Sequence, residues 1–137
     1  MKRTGFRRRN KFNAKPVHDM ETGDTFDSTG EYNRYRELQL MEKAGFISKL
    51  ELHPKVVLIA KDGDAPEIAY RPDYAYFCDG RDLKEDWKPR PATPRETLLF
   101  KLWRHFGPTV LLVTGGKTLR RIPGYRPAPR PPPTGTQ

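Results

Sequence analysis

The chain has very little cysteine and no long apolar run. Cys78 is its only cysteine, so no disulfide can form within the chain, which favours a reducing compartment. The longest apolar runs, 56–60 and 110–113, are far shorter than the ~20 residues that a membrane-spanning helix needs. The basic amino terminus also lacks the apolar segment of a secretory signal. We therefore expect a cytoplasmic protein that does not contact membranes.

Acidic residues are missing from both ends of the chain. Residues 1–15 carry seven Lys or Arg and residues 117–137 carry five, whereas 16–116 holds 14 basic against 17 acidic side chains. The net charge of +9 therefore lies entirely in the ends. Basic ends on a near-neutral centre are typical of arms that bind a polyanion, nucleic acid first of all. The amino-terminal candidates for this contact are Lys2, Arg3, Arg7, Arg8, Arg9, Lys11 and Lys15.

Composition divides the chain into a basic flexible arm over 1–16, one domain over 17–116 and a proline-rich basic tail over 117–137. Six of the 14 prolines fall in 123–133, which predicts an extended, disordered tail of polyproline type. Such a tail could bind a protein partner, act as a second DNA arm or be inert, and the sequence leaves these alternatives open. The three histidines, at 18, 53 and 105, lack the spacing of zinc ligands.

Residues 67–88 predict a β-hairpin closed by Asp79-Gly80, the strongest short signal for a two-residue type I′ turn. If the loop is those two residues, Asp73 faces Asp86, and Lys88 lies on the same face of the sheet. The alternation of hydrogen bonds makes the Asp73–Asp86 pair a closely spaced, non-hydrogen-bonded one.

Two facing carboxylates repel unless a cation or a shared proton relieves them. Pro72 has no N–H to donate, so the carbonyl of Trp87 is also expected to be free. Carboxylate and carbonyl oxygens suit Mg²⁺ or Mn²⁺. The alternative is a surface hairpin whose charges are merely solvated.

The remaining pattern predicts a mixed α+β fold with four or five strands. Ser28 begins a helix that runs to about Ala44, with Glu31 placed to close a capping box. Thr93 caps a second helix, which ends near Phe106. The expected strands are 47–52, 55–60, the two arms of the hairpin, and 109–114.

Several blocks in this order resemble a known family. Pro72-Asp73 followed by Asp86-Trp87-Lys88 resembles the PD-(D/E)XK nuclease signature, and 26–31, 38–45 and 50–54 match in the same order. The chain, over about 11–114, is similar to small phage- and prophage-encoded PD-(D/E)XK nucleases related to junction-resolving enzymes. The resemblance implies a restriction-endonuclease-like core, a mixed four- to five-stranded sheet flanked by helices.

The resemblance also implies a set of site residues. It makes Glu31, Asp73, Asp86 and Lys88 catalytic, and it makes Glu31, Asp73, Asp86 and the Trp87 carbonyl ligands of Mg²⁺ or Mn²⁺. It implies further that the first helix packs on the active face of the hairpin, so that Glu31 is a ligand as well as a cap. The chain departs from the family in having Pro89 where a glycine is usual and Trp87 where an aliphatic residue is usual.

The implied function is a Mg²⁺-dependent DNA endonuclease that acts on branched or otherwise structured DNA in the cytoplasm of an infected bacterium. The implied partners are DNA and, as in junction-resolving relatives, a second copy of the chain. Two other functions stay open: an inactive nucleic-acid-binding module of the same fold, and a phage protein that binds a host factor through its tails. The substrate's structure, and whether RNA is also cut, are not decided by the sequence.

Overall fold

A computed structural model describes residues 16–125, which form a mixed α+β fold with two helices and a five-stranded mixed sheet. The elements in chain order are β1 (Val17–His18), β2 (Thr25–Phe26), α1 (Thr29–Lys43), β3 (Ser48–Leu52), β4 (Val56–Ile59), β5 (Ile68–Tyr70), β6 (Tyr74–Cys78), β7 (Arg81–Trp87), α2 (Pro94–Phe106), β8 (Val110–Thr114) and β9 (Arg120–Ile122). The predicted basic arm and the far part of the predicted tail lie outside the described residues. In 16–125 neither helix is long and apolar enough to cross a membrane.

Both helices begin at the predicted caps. Ser28 is extended, and its hydroxyl accepts the N–H of Glu31 at 3.1 Å, which satisfies one of the free donors of the first turn. Thr93 and Glu96 form a complete reciprocal capping box at the start of α2, where Pro94 needs no hydrogen-bond partner. The predicted bounds of both helices are therefore confirmed to within a residue or two.

The hairpin of β6 and β7 has the predicted turn. Asp79 and Gly80 have φ of 51° and 73°, the left-handed values that a type I′ turn requires. Five pairs, from Cys78–Arg81 to Tyr74–Glu85, have the predicted register. The ladder ends there, one pair short of Asp73–Asp86. That part of the prediction is wrong, because the Asp73 carboxylate accepts the N–H of Trp87 at 2.7 Å beyond the last ladder pair.

The strands of the main sheet lie in the order β3-β6-β7-β8-β9. α2 connects β7 to β8, which are parallel, as expected for strands joined by a helical crossover. β9 pairs antiparallel with β8, and Ile122 is buried among residues of α2 and β8. The predicted start of the tail at residue 117 is therefore wrong, since the sheet continues to residue 122.

Two apolar clusters cover opposite faces of the main sheet. The α1 cluster contains Leu38 and the two buried tyrosines of β6, Tyr74 and Tyr76. The α2 cluster contains Trp103, Leu111 and residues of a second small sheet, β4–β5. Because side chains alternate along β7, Glu85 lies on the α1 side and Asp86 on the α2 side.

Candidate metal centre

The predicted site residues meet at one end of the main sheet, where β6 begins and β7 ends. Asp73 immediately precedes β6, while Asp86 and Lys88 lie at the end of β7. Glu31 is in the first turn of α1. The main-chain carbonyl of Glu31 accepts a hydrogen bond from the Tyr74 hydroxyl at 2.5 Å. That bond fixes the start of α1 over the start of β6.

Asp86 is 1% exposed, and its two oxygens differ in their partners. Oδ2 accepts the Tyr70 hydroxyl and lies 3.2 Å from the Lys88 ammonium. Oδ1 is buried without a hydrogen-bond partner among the described residues. A proton shared with the neighbouring Asp73 carboxyl, or a cation, would satisfy this oxygen, and a buried carboxylate oxygen left with neither costs free energy.

Asp73 lies between the Asp86 and Glu31 carboxylates. Burial, followed by the Asp86 carboxylate, raises the pKa of Asp73 well above its usual range. The N–H of Trp87 opposes this shift by stabilising the ionised form. Three acids therefore meet beside one ammonium group, that of Lys88. Either a proton on Asp73 or a multivalent cation relieves the repulsion among them.

His53, which the sequence did not single out, joins this group. Its Nε2 lies 3.0 Å from Oε1 of Glu31, and its main-chain N–H donates to the carbonyl of Asp73 at 2.9 Å. Ligand atoms of Glu31, His53 and Asp73 all lie within 4.8 Å of one another. Asp86 is not one of that triplet but adjoins it through Asp73.

The structure modifies two expectations for Glu31. Its N–H is capped by Ser28, as predicted, but its carboxylate is bonded to His53. In addition, α1 packs against the Tyr74 and Tyr76 side of the hairpin, opposite Asp86 and Lys88, so the expectation that it covers the active face is wrong. Glu31 approaches Asp73 at the end of the sheet rather than across its face.

Lys88 is held between two acids. Its Nζ lies 3.2 Å from Asp86 and 3.6 Å from Glu96, in the first turn of α2. Burial acts to lower the pKa of Lys88, but the Asp86 and Asp73 carboxylates outweigh it and raise that pKa above its ordinary value. Lys88 is therefore a cation in the site, able to donate to an anionic substrate.

Trp87 has a packing role in addition to its predicted one. A Cβ on Gly30 would lie 2.7 Å from the indole nitrogen, and one on Gly115 would lie 3.0 Å from the ring. The indole therefore fills the space between α1 and the end of β8, where these two glycines leave room for it. Trp87 lies beyond the last β6–β7 ladder pair but pairs with Thr114 of β8, and the free Trp87 carbonyl stays a prediction.

The donor set fits a divalent ion. Carboxylates suit Mg²⁺ and Mn²⁺, and an imidazole nitrogen adds a ligand that transition ions accept more readily than Mg²⁺ does. Asp73, Asp86 and the Trp87 carbonyl could hold one ion, and Asp73 also adjoins Glu31 and His53. Oδ1 of Asp86, buried and without an N–H or O–H donor among the described residues, is available to such an ion.

A basic cleft of about 310 Å³ lies next to Lys88. Arg90, Lys117 and Arg120 line it together with Lys88, and the guanidinium of Arg120 stacks over the Phe100 ring at 5.6 Å. Cations concentrated in one cleft attract anionic ligands, phosphate esters among them. The predicted nucleic-acid contacts at Lys2 to Lys15 lie outside the described residues, and the cleft is lined by other basic residues.

The chain belongs to the family DUF1064, which is described as 'Protein of unknown function'. The family model matches residues 9–107. The match includes all four predicted site residues and His53. No curated protein and no solved structure matches the chain. Inferences about function therefore depend on the geometry of the site.

Proposed function

We propose that this protein is a metal-dependent DNA endonuclease with a restriction-endonuclease-like core. The observation that supports it best is Asp86, buried beside Asp73 with one oxygen unpartnered and with Lys88 at 3.2 Å from the other. The element order also supports it: α1, then antiparallel strands, then a helical crossover to a parallel strand. In this proposal Glu31, Asp73, Asp86 and Lys88 are the catalytic residues.

The proposed reaction is hydrolysis of a phosphodiester. A water adds its oxygen to phosphorus, one P–O ester bond breaks, and the proton that the water loses is balanced by the one that the leaving alkoxide gains. A bound Mg²⁺ or Mn²⁺ would lower the pKa of that water and neutralise charge on the phosphate. Asp73 and Asp86 hold the ion, and Lys88 donates to the phosphate or to the attacking water.

The basic cleft supports a polyanionic substrate. Lys88 belongs to both the acidic group and the cleft, so a strand bound along Arg90, Lys117 and Arg120 would pass the carboxylates. Contacts from Lys and Arg to phosphates position a nucleic acid without reading its sequence. We further propose that the basic arm adds contacts of the same kind, that the substrate is structured DNA, and that the protein acts in the cytoplasm of an infected bacterium, where a second copy of the chain can pair with it.

Cleavage of labelled DNA tests this proposal. Linear duplex, nicked duplex, single strands, a four-way junction and matched RNA would be incubated with the full chain and Mg²⁺ or Mn²⁺. The informative variant is Asp73→Asn, and its matched control is Asp79→Asn at the other end of the same hairpin, where an Asn-Gly turn remains favourable.

We expect the wild type and Asp79→Asn to cut at least one DNA form and Asp73→Asn to cut none while still binding it. If all three proteins bind DNA and none cleaves it, the proposed enzyme activity is overturned, and a binding module of the same fold is favoured. Cleavage that survives Asp73→Asn would point to a contaminating nuclease and would also overturn the proposal.

A further inference from the structure

We infer that Glu31, His53 and Asp73 form a second metal position, separate from the one between Asp73 and Asp86, and that it binds Mn²⁺ in preference to Mg²⁺. This inference deepens the proposed function, since Asp73 would bridge the two ions. It concerns a ligand, His53, that neither the sequence nor the family description indicates.

The first support is the geometry of the triplet. Three ligand atoms from α1, from the residue after β3 and from the residue before β6 lie within 4.8 Å of one another. A single ion at bonding distance from three such atoms draws them to separations of this order. The Glu31 carboxylate now contacts His53, an arrangement that an ion between them would replace.

The second support is the backbone of His53. Its φ is 49°, in the left-handed region that Asn, Asp and His enter more often than other residues with a side chain. This conformation is maintained by the hydrogen bond from its N–H to the carbonyl of Asp73. The backbone and side-chain contacts together hold the imidazole beside the Glu31 and Asp73 carboxylates.

The third support is that solvent reaches one ligand of the triplet while another is buried. The His53 side chain is 42% exposed, whereas that of Glu31 is 6% exposed. An ion could therefore enter from solvent beside His53 and be held by the buried Glu31 carboxylate and the partly buried Asp73 carboxylate.

The choice of metal follows from the donor types. Mg²⁺ prefers oxygen ligands in a strict octahedron and gives up water reluctantly, whereas Mn²⁺ accepts an imidazole nitrogen with less loss. A position with one nitrogen and two carboxylates therefore favours Mn²⁺. The position at Asp73 and Asp86, with oxygen ligands alone, accepts either ion.

Mn²⁺ binding to the full chain tests the inference without DNA. MnCl₂ would be titrated while the free ion is followed by its electron paramagnetic resonance signal, first alone and then against excess MgCl₂. Spin-echo modulation spectra of the bound Mn²⁺ would detect a coordinated nitrogen. His53→Asn is the best variant, because asparagine tolerates the left-handed backbone and leaves the fold intact. His105→Gln, which alters an exposed histidine on α2, is the control.

We expect two Mn²⁺ per wild-type chain, one of them with nitrogen coupling and resistant to MgCl₂. His53→Asn should abolish the coupling and raise the Kd of that position about tenfold or more, as expected when a metal's ligand environment is removed. His105→Gln should behave as the wild type does. Absence of nitrogen coupling in the wild type, or equal binding by His53→Asn, would overturn the inference.

The outcome is distinguishable from that of the proposed nuclease. Mn²⁺ binding that depends on His53 in a protein that cuts no DNA would support the metal position and overturn the nuclease. Cleavage that needs Asp73, in a protein whose Mn²⁺ shows no bound nitrogen, would overturn the metal position alone.

Discussion

Glu85 and Asp86 are consecutive residues of β7, and both are almost completely buried, but their carboxylates differ in every surrounding contact. On the α1 side, Glu85 accepts two hydrogen bonds from Arg34, at 2.7 and 2.9 Å, one from Tyr76 at 2.7 Å and one from Thr114 at 3.1 Å. On the α2 side, Asp86 has partners on one oxygen and none on the other among the described residues.

The difference indicates two uses of a buried charge. Glu85 has the complete set of donors that makes a buried carboxylate tolerable, and its ion pair holds the pKa of Arg34 above its usual range. Such a network joins α1 to the sheet and needs no further ligand. The Asp86 carboxylate lacks a complete set of hydrogen-bond donors and lies next to another acid, Asp73. This arrangement lowers stability unless a ligand compensates for it. Breaking the Glu85 network should therefore affect folding, and altering Asp86 should affect function.

The largest expected effect is that of Asp86→Asn on cleavage. The change removes a charge proposed to hold the metal, and metal stabilisation of the transition state is worth several kcal/mol, so turnover should fall by about a thousandfold or more. The free energy of unfolding should fall by less than it does in Glu85→Gln, because the unfavourable contact with Asp73 disappears and Lys88 keeps Glu96 as a partner. Single-turnover cleavage and urea unfolding measure the two quantities.

The control for this variant is Asp82→Asn, which makes the same chemical change four residues closer to the turn, on the same face of β7. Its side chain is 40% exposed and pairs with Lys84. Cleavage should persist in this control. A large loss of stability in Asp86→Asn, with cleavage retained, would contradict the distinction between the two carboxylates.

Glu85→Gln should give the converse result. Removing one partner of a buried ion pair leaves the other charge uncompensated, and here the cost should be about 3 kcal/mol, the low end of the usual range, because Arg34 keeps some solvent contact. Urea unfolding would measure it. The matched control is Glu37→Gln, which removes the other, exposed carboxylate from the same arginine and should cost less than about 1 kcal/mol. An equal loss of unfolding free energy in both variants would show that the burial of Glu85 does not make its ion pair with Arg34 more important than that of Glu37.

Much of the sheet could be predicted from the sequence, because local residues determine it. Asp79-Gly80 fixes the turn, and with it the five ladder pairs down to Tyr74–Glu85. The Asp73–Asp86 pair was not predictable in the same way, since the Asp73 side chain competes with the backbone for the N–H of Trp87. The outcome of such a competition depends on three-dimensional positions that a register does not supply.

Contacts between distant segments explain the other differences. β9 has two arginines in three residues and no strand pattern of its own, and it is a strand because it pairs with β8 and buries Ile122. His53 is 22 residues from Glu31 and reaches it through the packing of α1 on β3 and the pairing of β3 with β6. The predicted strands 47–52 and 55–60 place His53 between them, but the sequence does not indicate what the imidazole would contact.

Gly30→Ala should lower stability by about 1 to 2 kcal/mol, which is opposite to its effect on helix propensity. Alanine favours a helix by about 1 kcal/mol over glycine, but here its Cβ would lie 2.7 Å from the Trp87 indole nitrogen and push α1 away from β7. Combining it with Trp87→Leu should recover part of the loss, because the smaller side chain leaves room for the new methyl group.

Asn33→Ala, at an exposed position of α1, is the control and should be neutral or stabilising. A Gly30→Ala protein more stable than the wild type would show that Trp87 does not fix α1.

The smallest expected effect concerns the pH dependence contributed by Glu96, on the α2 side of the sheet. Partial burial acts to raise its pKa, but hydrogen bonds from Arg90 and the Thr93 N–H outweigh this and lower it from 4.5 to about 2. A depressed carboxylate pKa contributes stability that is present above pH 4.5 and is lost as the pH falls towards 2. Glu96→Gln keeps an acceptor for the capping box but loses the charge that pairs with Arg90 and Lys88.

The wild type should therefore be more stable than Glu96→Gln at neutral pH by less than about 1 kcal/mol, and the difference should shrink between about pH 4.5 and pH 2. Thermal unfolding of both proteins across that range measures the difference, and titrations elsewhere in the chain cancel because they are common to both. Glu51→Gln, which neutralises an exposed carboxylate on β3, should give a curve nearly parallel to that of the wild type. A difference for Glu96→Gln that stays constant or widens below pH 4.5 would show that its contacts with Arg90 and Thr93 do not favour the ionised form.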